Sequence, residues 1–137
     1  MIEVFKSDSQ NDKFYSLIGR YFASLDIAKE LERQVYNKPN SIWYVSQNGG
    51  VKGFAALFDN GKYYFLDNLY VLPEFRNSGT AKEIVQQMVL DNTDKPIRCI
   101  ANNPYALKIF QQLGFKEVGQ NGKYKKLIKH CAEILPI

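Results

Sequence analysis

The residues whose types and spacing most clearly indicate chemistry form a short loop between a predicted strand and a predicted helix. They are Arg76, Asn77, Ser78, Gly79, Thr80 and Ala81. Gly79 and Ala81 are small where the backbone must approach a ligand, and Pro73 ends the strand because it cannot donate to a ladder. The free N–H groups and the positive end of the helix converge on one point, which binds phosphate. Alone, the pattern predicts an anion at the beginning of a helix, assisted by the charge of Arg76, or else a plain turn that contains a glycine.

Other reactive side chains are few. Asp67 lies on the predicted strand that leads into the loop, where it could be a general base or a capping or ion-pairing carboxylate. The single histidine, His130, excludes a multi-histidine metal site. Cys99 and Cys131 lie in strand-like apolar contexts, which favours reduced core thiols over a disulfide framework. The sequence therefore predicts no metal and no covalent enzyme intermediate.

Hydrophobic periodicity predicts the elements that position the loop, in the order β-α-α-β-β-β-α-β-α-β-β. Amphipathic stripes indicate four helices, of which the second is expected to continue through Val35 and to end before Pro39. Asn103 is expected to cap the last helix, with a proline at its first position and Gly114 after its end. The strands are predicted at 2–5, 42–46, 51–58, 63–71, 97–101, 115–118 and 124–128.

The connections predict the topology. Asn-Gly pairs in the segments 48–50, 60–61 and 121–122 indicate type I′ hairpins. The strand–helix–strand segment 63–101 requires a parallel, right-handed crossover between its two strands. The sequence therefore predicts a single α+β domain over residues 1–137, with a mixed, mostly antiparallel sheet.

Two segments resemble the GNAT superfamily of N-acetyltransferases. Residues 69–81 are similar to its acetyl-CoA motif, Val-x-Pro-x-x-Arg/Gln-x-x-Gly-x-Gly/Ala, and residues 103–115 to its second motif, Asn-x-x-Ala-x-x-x-Tyr-x-x-x-Gly-Phe. The element order matches over nearly the whole chain, whereas the helices between 12 and 36 match only in position. The resemblance implies a GNAT-like sheet with a splayed parallel strand pair, flanked by about four helices, and acetyl-CoA as the acyl donor.

The resemblance also implies roles for individual residues. The backbone N–H groups of 76–81 would hold the CoA pyrophosphate. Leu69, Tyr70 and Val71 would pair with the pantetheine arm as if it were an extra strand. The N–H of Val71 would polarise the thioester carbonyl and stabilise the oxyanion that forms. Asn103 would contact the pantetheine or cap its helix, and the two roles are compatible.

Phe110 departs from the family pattern. Many members have a tyrosine there, whose hydroxyl protonates the leaving thiolate, and phenylalanine cannot donate. Phe110 is thus expected to line the cofactor site without acting as an acid. Three alternatives follow for the protonation of the thiolate: a water or thiol-side proton source, help from Tyr105, or weak activity. Tyr105 lies some 140° round the helix from Phe110 at about 3.6 residues per turn, which makes it a poor substitute.

Asp67 is the predicted catalytic base, because an alkylamine with a pKa of about 10.4 is mostly protonated at neutral pH. Strand alternation predicts that Asp67, Leu69 and Val71 share one face, near the splay. Tyr64 and Tyr70 are then expected on the opposite face, where they line the acceptor pocket or pack.

The predicted function is direct acetyl transfer to a primary amine of a small molecule or peptide. A non-catalytic acyl-CoA-binding or protein-interaction module of the same fold is the alternative. The net charge of +4 is mild, and the lysines near the C-terminal end form no recognisable motif, so nucleic acid is not an expected partner. No apolar run approaches the roughly 20 residues of a membrane span, and the start lacks a secretory pattern. A cytoplasmic monomer or homodimer is expected.

Overall fold

A single mixed sheet of seven strands runs through residues 1–130, which are the residues that the computed structural model describes. Within them the strand order is β1-β2-β3-β4-β5-β7-β6, and every pairing is antiparallel except that of β4 with β5. This confirms the predicted α+β class and its parallel pair. The strands are β1 Ile2–Phe5, β2 Ser41–Gln47, β3 Val51–Asp59, β4 Tyr64–Val71, β5 Ile97–Ala101, β6 Lys116–Asn121 and β7 Tyr124–Lys129.

Four α-helices flank the sheet in the described part of the chain, as predicted: α1 Asp12–Phe22, α2 Leu25–Leu31, α3 Thr80–Asp91 and α4 Pro104–Gln112. Polar side chains cap three of them by accepting backbone N–H groups of the first turn. Asn11 accepts from Lys13, Ser24 from Ile27, and Asn103 from Ala106. The helix α3 begins differently, at the glycine of the candidate phosphate loop.

The predicted extent of the second helix is wrong at its C-terminal end. The helix α2 stops at Leu31 because Glu32 adopts a left-handed conformation, with φ of 61°. Val35 is buried as expected, but it reaches the core from the irregular segment after the helix. The helical spacing of Val35 therefore correctly indicated that its side chain is buried, but it did not indicate that the helix continues that far.

The sheet separates two apolar layers. Ile84, Val85 and Met88 of α3, with Phe110 of α4, pack on one face. Phe14 and Ile18 of α1, with Ile27 of α2, pack on the other face. We call these the α3/α4 face and the α1/α2 face.

A β-bulge in β4 overturns the predicted alternation of that strand. Ala56 pairs with Asp67, but Phe54 pairs with Tyr70, so one residue of β3 faces two of β4. The extra residue is Asn68, which has a φ of 58°. Its insertion shifts every later side chain to the other face.

The bulge changes which side chains share a face. Tyr64 packs in the α3/α4 layer and Tyr70 in the α1/α2 layer, so these two tyrosines lie on opposite faces of the sheet. Leu69 packs against the α3/α4 layer, whereas Asp67 lies on the other face. The predicted grouping of Asp67 with Leu69 and Val71 is therefore wrong.

The predicted hairpins form, but not with type I′ turns. In the β3–β4 turn Gly61 has a positive φ of 92°, whereas Asn60 does not. Instead the side chain of Asn60 accepts the backbone N–H groups of Lys62 and Tyr63, at 3.0 and 2.9 Å. The asparagine thus makes an Asx-type turn through its side chain.

Candidate functional site

The site lies where the two parallel strands separate. β4 and β5 pair only through Tyr64 with Ile97 and Phe65 with Arg98, and beyond these residues the strands diverge. The opening is the floor of a cleft of about 600 Å³. Most of the predicted site residues line this cleft, namely Asp67, Leu69, Tyr70, Val71, Arg76, Ala81, Asn103 and Phe110.

The main chain of Val71 faces the opening. The N–H of the next residue, Leu72, donates to the carbonyl of Lys52 in β3, at 2.9 Å. In a strand the N–H and C=O of one residue point to the same side and those of the next residue to the other side, so the N–H and C=O of Val71 point away from β3 and toward the gap. The Val71 carbonyl accordingly accepts a hydrogen bond from the Arg76 side chain, at 3.0 Å. The Val71 N–H therefore points into the gap between β4 and β5.

The loop before α3 has the backbone shape of an anion site. Asn77 and Gly79 both adopt left-handed conformations, with φ of 61° and 86°, and Gly79 is the N-cap of α3. No backbone N–H of residues 77–82 donates a hydrogen bond to another group of the described chain. Residues 77, 79, 80, 81 and 82 line a second cavity of about 280 Å³, which shares Val71 and Arg76 with the main cleft.

Ser78 and Thr80 stabilise this loop through their hydroxyl groups. The Oγ of Ser78 donates to the carbonyl of Phe75, and it lies 2.9 Å from the Oγ1 of Thr80. The Thr80 side chain is buried. Ser78 itself lines neither of the two cavities. Its side chain therefore holds the loop.

The side chain of Arg76 is folded away from the loop. Its Nη2 lies 2.8 Å from a carboxylate oxygen of Glu30, at the end of α2, and this contact raises the pKa of Arg76. The guanidinium carbon lies 5.4 Å from the ring centre of Tyr70. Burial, followed by the charge of Glu30, raises the pKa of Tyr70.

Asp67 lies in the cleft but is paired with cations. One of its oxygens is 2.5 Å from Nη1 of Arg33 and 3.8 Å from Nζ of Lys38, and the other accepts the N–H of Asn68. The Nδ2 of Asn68 donates to the carbonyl of Tyr36, which fixes the orientation of the amide. The buried Oδ1 of Asn68 then has no hydrogen-bond partner among the described residues.

The helix α4 forms the wall opposite β4. Asn103 lines the cleft at the beginning of α4. Its Oδ1 accepts the N–H of Ala106 at 2.8 Å, its carbonyl accepts the N–H of Leu107 at 3.2 Å, and its Nδ2 donates to the Oδ1 of Asn102 at 3.0 Å. Phe110 is buried, and its ring lies 5.4 Å from that of Phe115. Tyr105 is half exposed and lines both cavities.

Sequence reasoning missed the contribution of the end of α2. Glu32 accepts hydrogen bonds from Lys123 and Tyr124 of the last hairpin, and these contacts lower the pKa of Glu32. Together with Glu30 and Arg33 it closes one side of the cleft. These contacts join residues far apart in sequence, and no local pattern of the chain signals them.

A reactive thiol, a metal site and a membrane-spanning helix have little support in the described residues. Cys99 is buried in the α3/α4 layer, where desolvation raises the pKa of its thiol, so it is a core thiol as predicted. Cys131 lies outside the described residues. Within residues 1–130 no three His, Cys, Asp or Glu side chains stand together as metal ligands would. None of the helices seen there combines the length and the apolarity needed to cross a bilayer.

Comparison with known proteins decides the family. The profile of the Acetyltransferase (GNAT) domain matches residues 6–132, which is most of the chain. The chain belongs to the GNAT acetyltransferases. Among curated relatives, aminoglycoside N(6')-acetyltransferase type 1 of Salmonella typhimurium is 33% identical over 73 residues, 50% of each chain. The GNAT chain thus spans about half the length of the curated relatives it matches.

Solved structures show the same GNAT fold. Escherichia coli ElaA superposes with a TM-score of 0.76, covering 95% of this chain and 99% of the other at 11% identity. The spermidine N-acetyltransferase from Vibrio cholerae, in complex with CoA and spermine, has a TM-score of 0.69, with coverages of 94% and 95% at 13% identity. At these identities the likeness concerns the fold alone.

Proposed function

We propose that this protein is an acetyl-CoA-dependent N-acetyltransferase that transfers the acetyl group directly to a primary amine of a small molecule or peptide. The observation that carries the proposal is the orientation of Val71. Its N–H faces the opening between β4 and β5, and the backbone N–H groups of 77–82 lie just beyond, with no partner in the described chain. A thioester carbonyl needs a single donor such as the Val71 N–H, and a pyrophosphate needs several donors close together such as those of 77–82.

The groove fits an extended acyl-CoA. Its anionic end would lie at the beginning of α3, where unpaired N–H groups and the helix dipole favour phosphate. Its pantetheine arm would follow the edge of β4 past Leu69 and Val71, with the apolar wall of Ile109 and Phe110 opposite. In this arrangement Asn103 keeps its cap and can still donate through its side-chain amide.

The chemistry needs charge stabilisation, a base and a proton for the thiol. Acetyl-CoA would supply a thioester, whose C–S bond breaks as the amine forms a C–N bond. The Val71 N–H would donate to the carbonyl oxygen as it becomes negative. Asp67, on the α1/α2 face of the cleft, would take the proton that the amine loses. Water or Tyr105 would return a proton to the thiolate, because Phe110 cannot.

The relatives support the amine class without defining the acceptor. One is named for acetylation of an aminoglycoside and another for acetylation of spermidine, which are both small polyamines in the chemical sense. Three carboxylates of this chain line the cleft, those of Glu30, Glu32 and Asp67. Each of them is paired with a cation of the chain, Glu30 with Arg76, Glu32 with Lys123 and Asp67 with Arg33, so an ammonium group entering the cleft would compete with these partners.

The test is thiol release from acetyl-CoA with a panel of amines, including polyamines, aminoglycosides and peptides, with mass spectrometry of the acceptor. The expected result is amine-dependent thiol release matched by a gain of one acetyl group. Phe110 favours a second candidate, a non-catalytic acyl-CoA-binding module. Tight binding of acetyl-CoA with no acetylation of any amine would support that candidate and reject the enzyme.

A further inference from the structure

Arg76 has a side chain that contacts three groups at once. Its Nε donates to the carbonyl of Val71 at 3.0 Å, and its Nη2 lies 2.8 Å from the carboxylate of Glu30. The plane of the guanidinium lies near the ring of Tyr70, with 5.4 Å between the guanidinium carbon and the ring centre. Glu30 is 46 residues earlier in the chain, so the contact joins two distant parts of the site.

These contacts place Arg76 between the two halves of the reaction. Val71 carries the proposed oxyanion donor, and Glu30 lies in the last turn of α2, which forms the wall of the cleft on the α1/α2 face. The phosphate loop, in contrast, has its own donors in the backbone N–H groups of 77–82. For its guanidinium to reach an anion there, Arg76 would have to give up a charged hydrogen bond.

We propose that Arg76 is a positioning residue, which fixes the main chain of Val71 and ties the end of α2 to it, rather than a ligand of the cofactor phosphates. The inference rests on the proposed function, since it assigns Val71 to the transferred acetyl group and the wall at Glu30 to the acceptor. It makes the spacing between oxyanion donor and acceptor wall depend on one side chain.

The shape of the guanidinium explains how Arg76 makes all three contacts in this chain. Its N–H groups form a planar fork, so Arg76 can donate in two directions and stack on Tyr70 at the same time. Lysine is a compact point charge on a flexible stem, and it could keep the ion pair with Glu30 or the bond to Val71, but not both with the stacking. An Arg76→Lys variant therefore keeps the charge and loses the positioning.

The experiment compares Arg76→Gln and Arg76→Lys with Glu30→Gln, using steady-state kinetics on an accepted amine and calorimetric titration of acetyl-CoA. We expect both Arg76 variants to lower kcat roughly tenfold, the effect of a lost hydrogen bond to a charged group. The KM for the amine should rise, also in Glu30→Gln, while the acetyl-CoA Kd stays within about threefold because its phosphates bind backbone donors. Arg98→Gln is the matched control, since Arg98 stacks over Tyr63 at 4.7 Å and lies outside both cavities.

The opposite pattern overturns the inference. An acetyl-CoA Kd weakened tenfold or more in Arg76→Gln, restored in Arg76→Lys, with kcat preserved, would make Arg76 a phosphate ligand. Thermal unfolding of each variant excludes loss of the fold as the cause. If the wild-type protein binds acetyl-CoA but acetylates no amine, the proposed function fails by itself. The Kd of Arg76→Gln is then still informative, because an unchanged value excludes Arg76 as a phosphate ligand and a tenfold loss rejects the inference.

Discussion

The rings of Phe110 and Phe115 lie 5.4 Å apart and are tilted by 53° to each other. This packing fixes the ring of Phe110, the residue at the tyrosine position of the motif that residues 103–115 resemble. Phe110 is buried on one side in the α3/α4 layer and lines the cleft on the other. If the chain transfers an acetyl group as proposed, Phe110 offers no hydroxyl at this position, and the leaving thiolate would be protonated by another group.

Restoring the hydroxyl should increase turnover. We expect Phe110→Tyr to raise kcat about tenfold, less than the full effect of a positioned acid because a thiolate is a tolerable leaving group. Steady-state kcat at saturating acetyl-CoA measures this. Phe115→Tyr is the control, since it adds the same hydroxyl to a ring that lines neither cavity. An unchanged kcat in Phe110→Tyr would mean that another group already supplies the proton.

A methyl group on Gly79 should disrupt both the loop and the cofactor site. Gly79→Ala places a side chain at φ of 86°, which costs about 1–2 kcal/mol of folding free energy. The added methyl also stands where the phosphate would approach. We expect weaker acetyl-CoA binding by calorimetry and a lower free energy of unfolding in urea.

Gly61→Ala is the matched control for that variant. Gly61 has a φ of 92° and, like Gly79, open space around the added atom, but it lies in the β3–β4 turn away from the cleft. It should lose a similar free energy of unfolding and bind acetyl-CoA normally. Equal loss of binding in both variants would show that the effect of Gly79→Ala comes from general destabilisation.

Two variants can show whether Asp67 acts as a catalytic base or only as the ion-pair partner of Arg33. If Asp67 accepts the amine proton, Asp67→Asn should lower kcat/KM by about 10²–10⁴. The deficit should shrink as pH rises toward the pKa of the amine, because more acceptor is then already neutral. Arg33→Gln breaks the same ion pair but keeps the carboxylate. Equal losses in the two variants, with parallel pH profiles, would make Asp67 a structural residue.

The loss of stability in alkali should depend on Tyr64. Burial raises the pKa of Tyr64 to about 12, and its hydroxyl donates to Asp94 at 2.8 Å. The unfolded chain releases this proton near pH 10, so the stabilisation is complete below that pH and is lost as pH rises toward 12. The slope is about 1.4 kcal/mol per pH unit for one such group.

Urea unfolding between pH 9 and pH 12 measures that slope. In Tyr64→Phe the free energy of unfolding should fall less steeply with pH over this range than in the wild-type protein, even though the variant is less stable at neutral pH. Tyr36→Phe, which removes the hydroxyl of an exposed tyrosine, serves as the reference. The same slope in Tyr64→Phe and in the wild-type protein would contradict the assignment to Tyr64.

Local signals in the sequence were enough for the framework of the fold. Apolar periodicity, the Asn103 cap and the crossover rule predicted the element order and the parallel strand pair, because each depends on neighbours in the chain. Local signals also predicted the position of the loop at 76–81 before α3. These features place the side of the cleft where we propose that acetyl-CoA binds.

The side of the cleft proposed for the acceptor depends on contacts that the sequence does not signal. The bulge at Asn68 is stabilised by the Asp67 carboxylate and by the carbonyl of Tyr36, and it reverses the alternation after it. The ion pair between the Arg76 side chain and Glu30 depends on where α2 ends. Both features arise from tertiary packing, so alternation alone assigned the wrong face to part of β4.

The most direct test of the site is a calorimetric titration of the wild-type protein with acetyl-CoA and with acetyl-pantetheine, which lacks the pyrophosphate. Binding of one acetyl-CoA per chain, and much weaker binding of acetyl-pantetheine, is the result expected if the amides of 77–82 hold phosphate while the edge of β4 holds the arm. Failure to bind acetyl-CoA, or equal affinity for the two compounds, would contradict the proposed site.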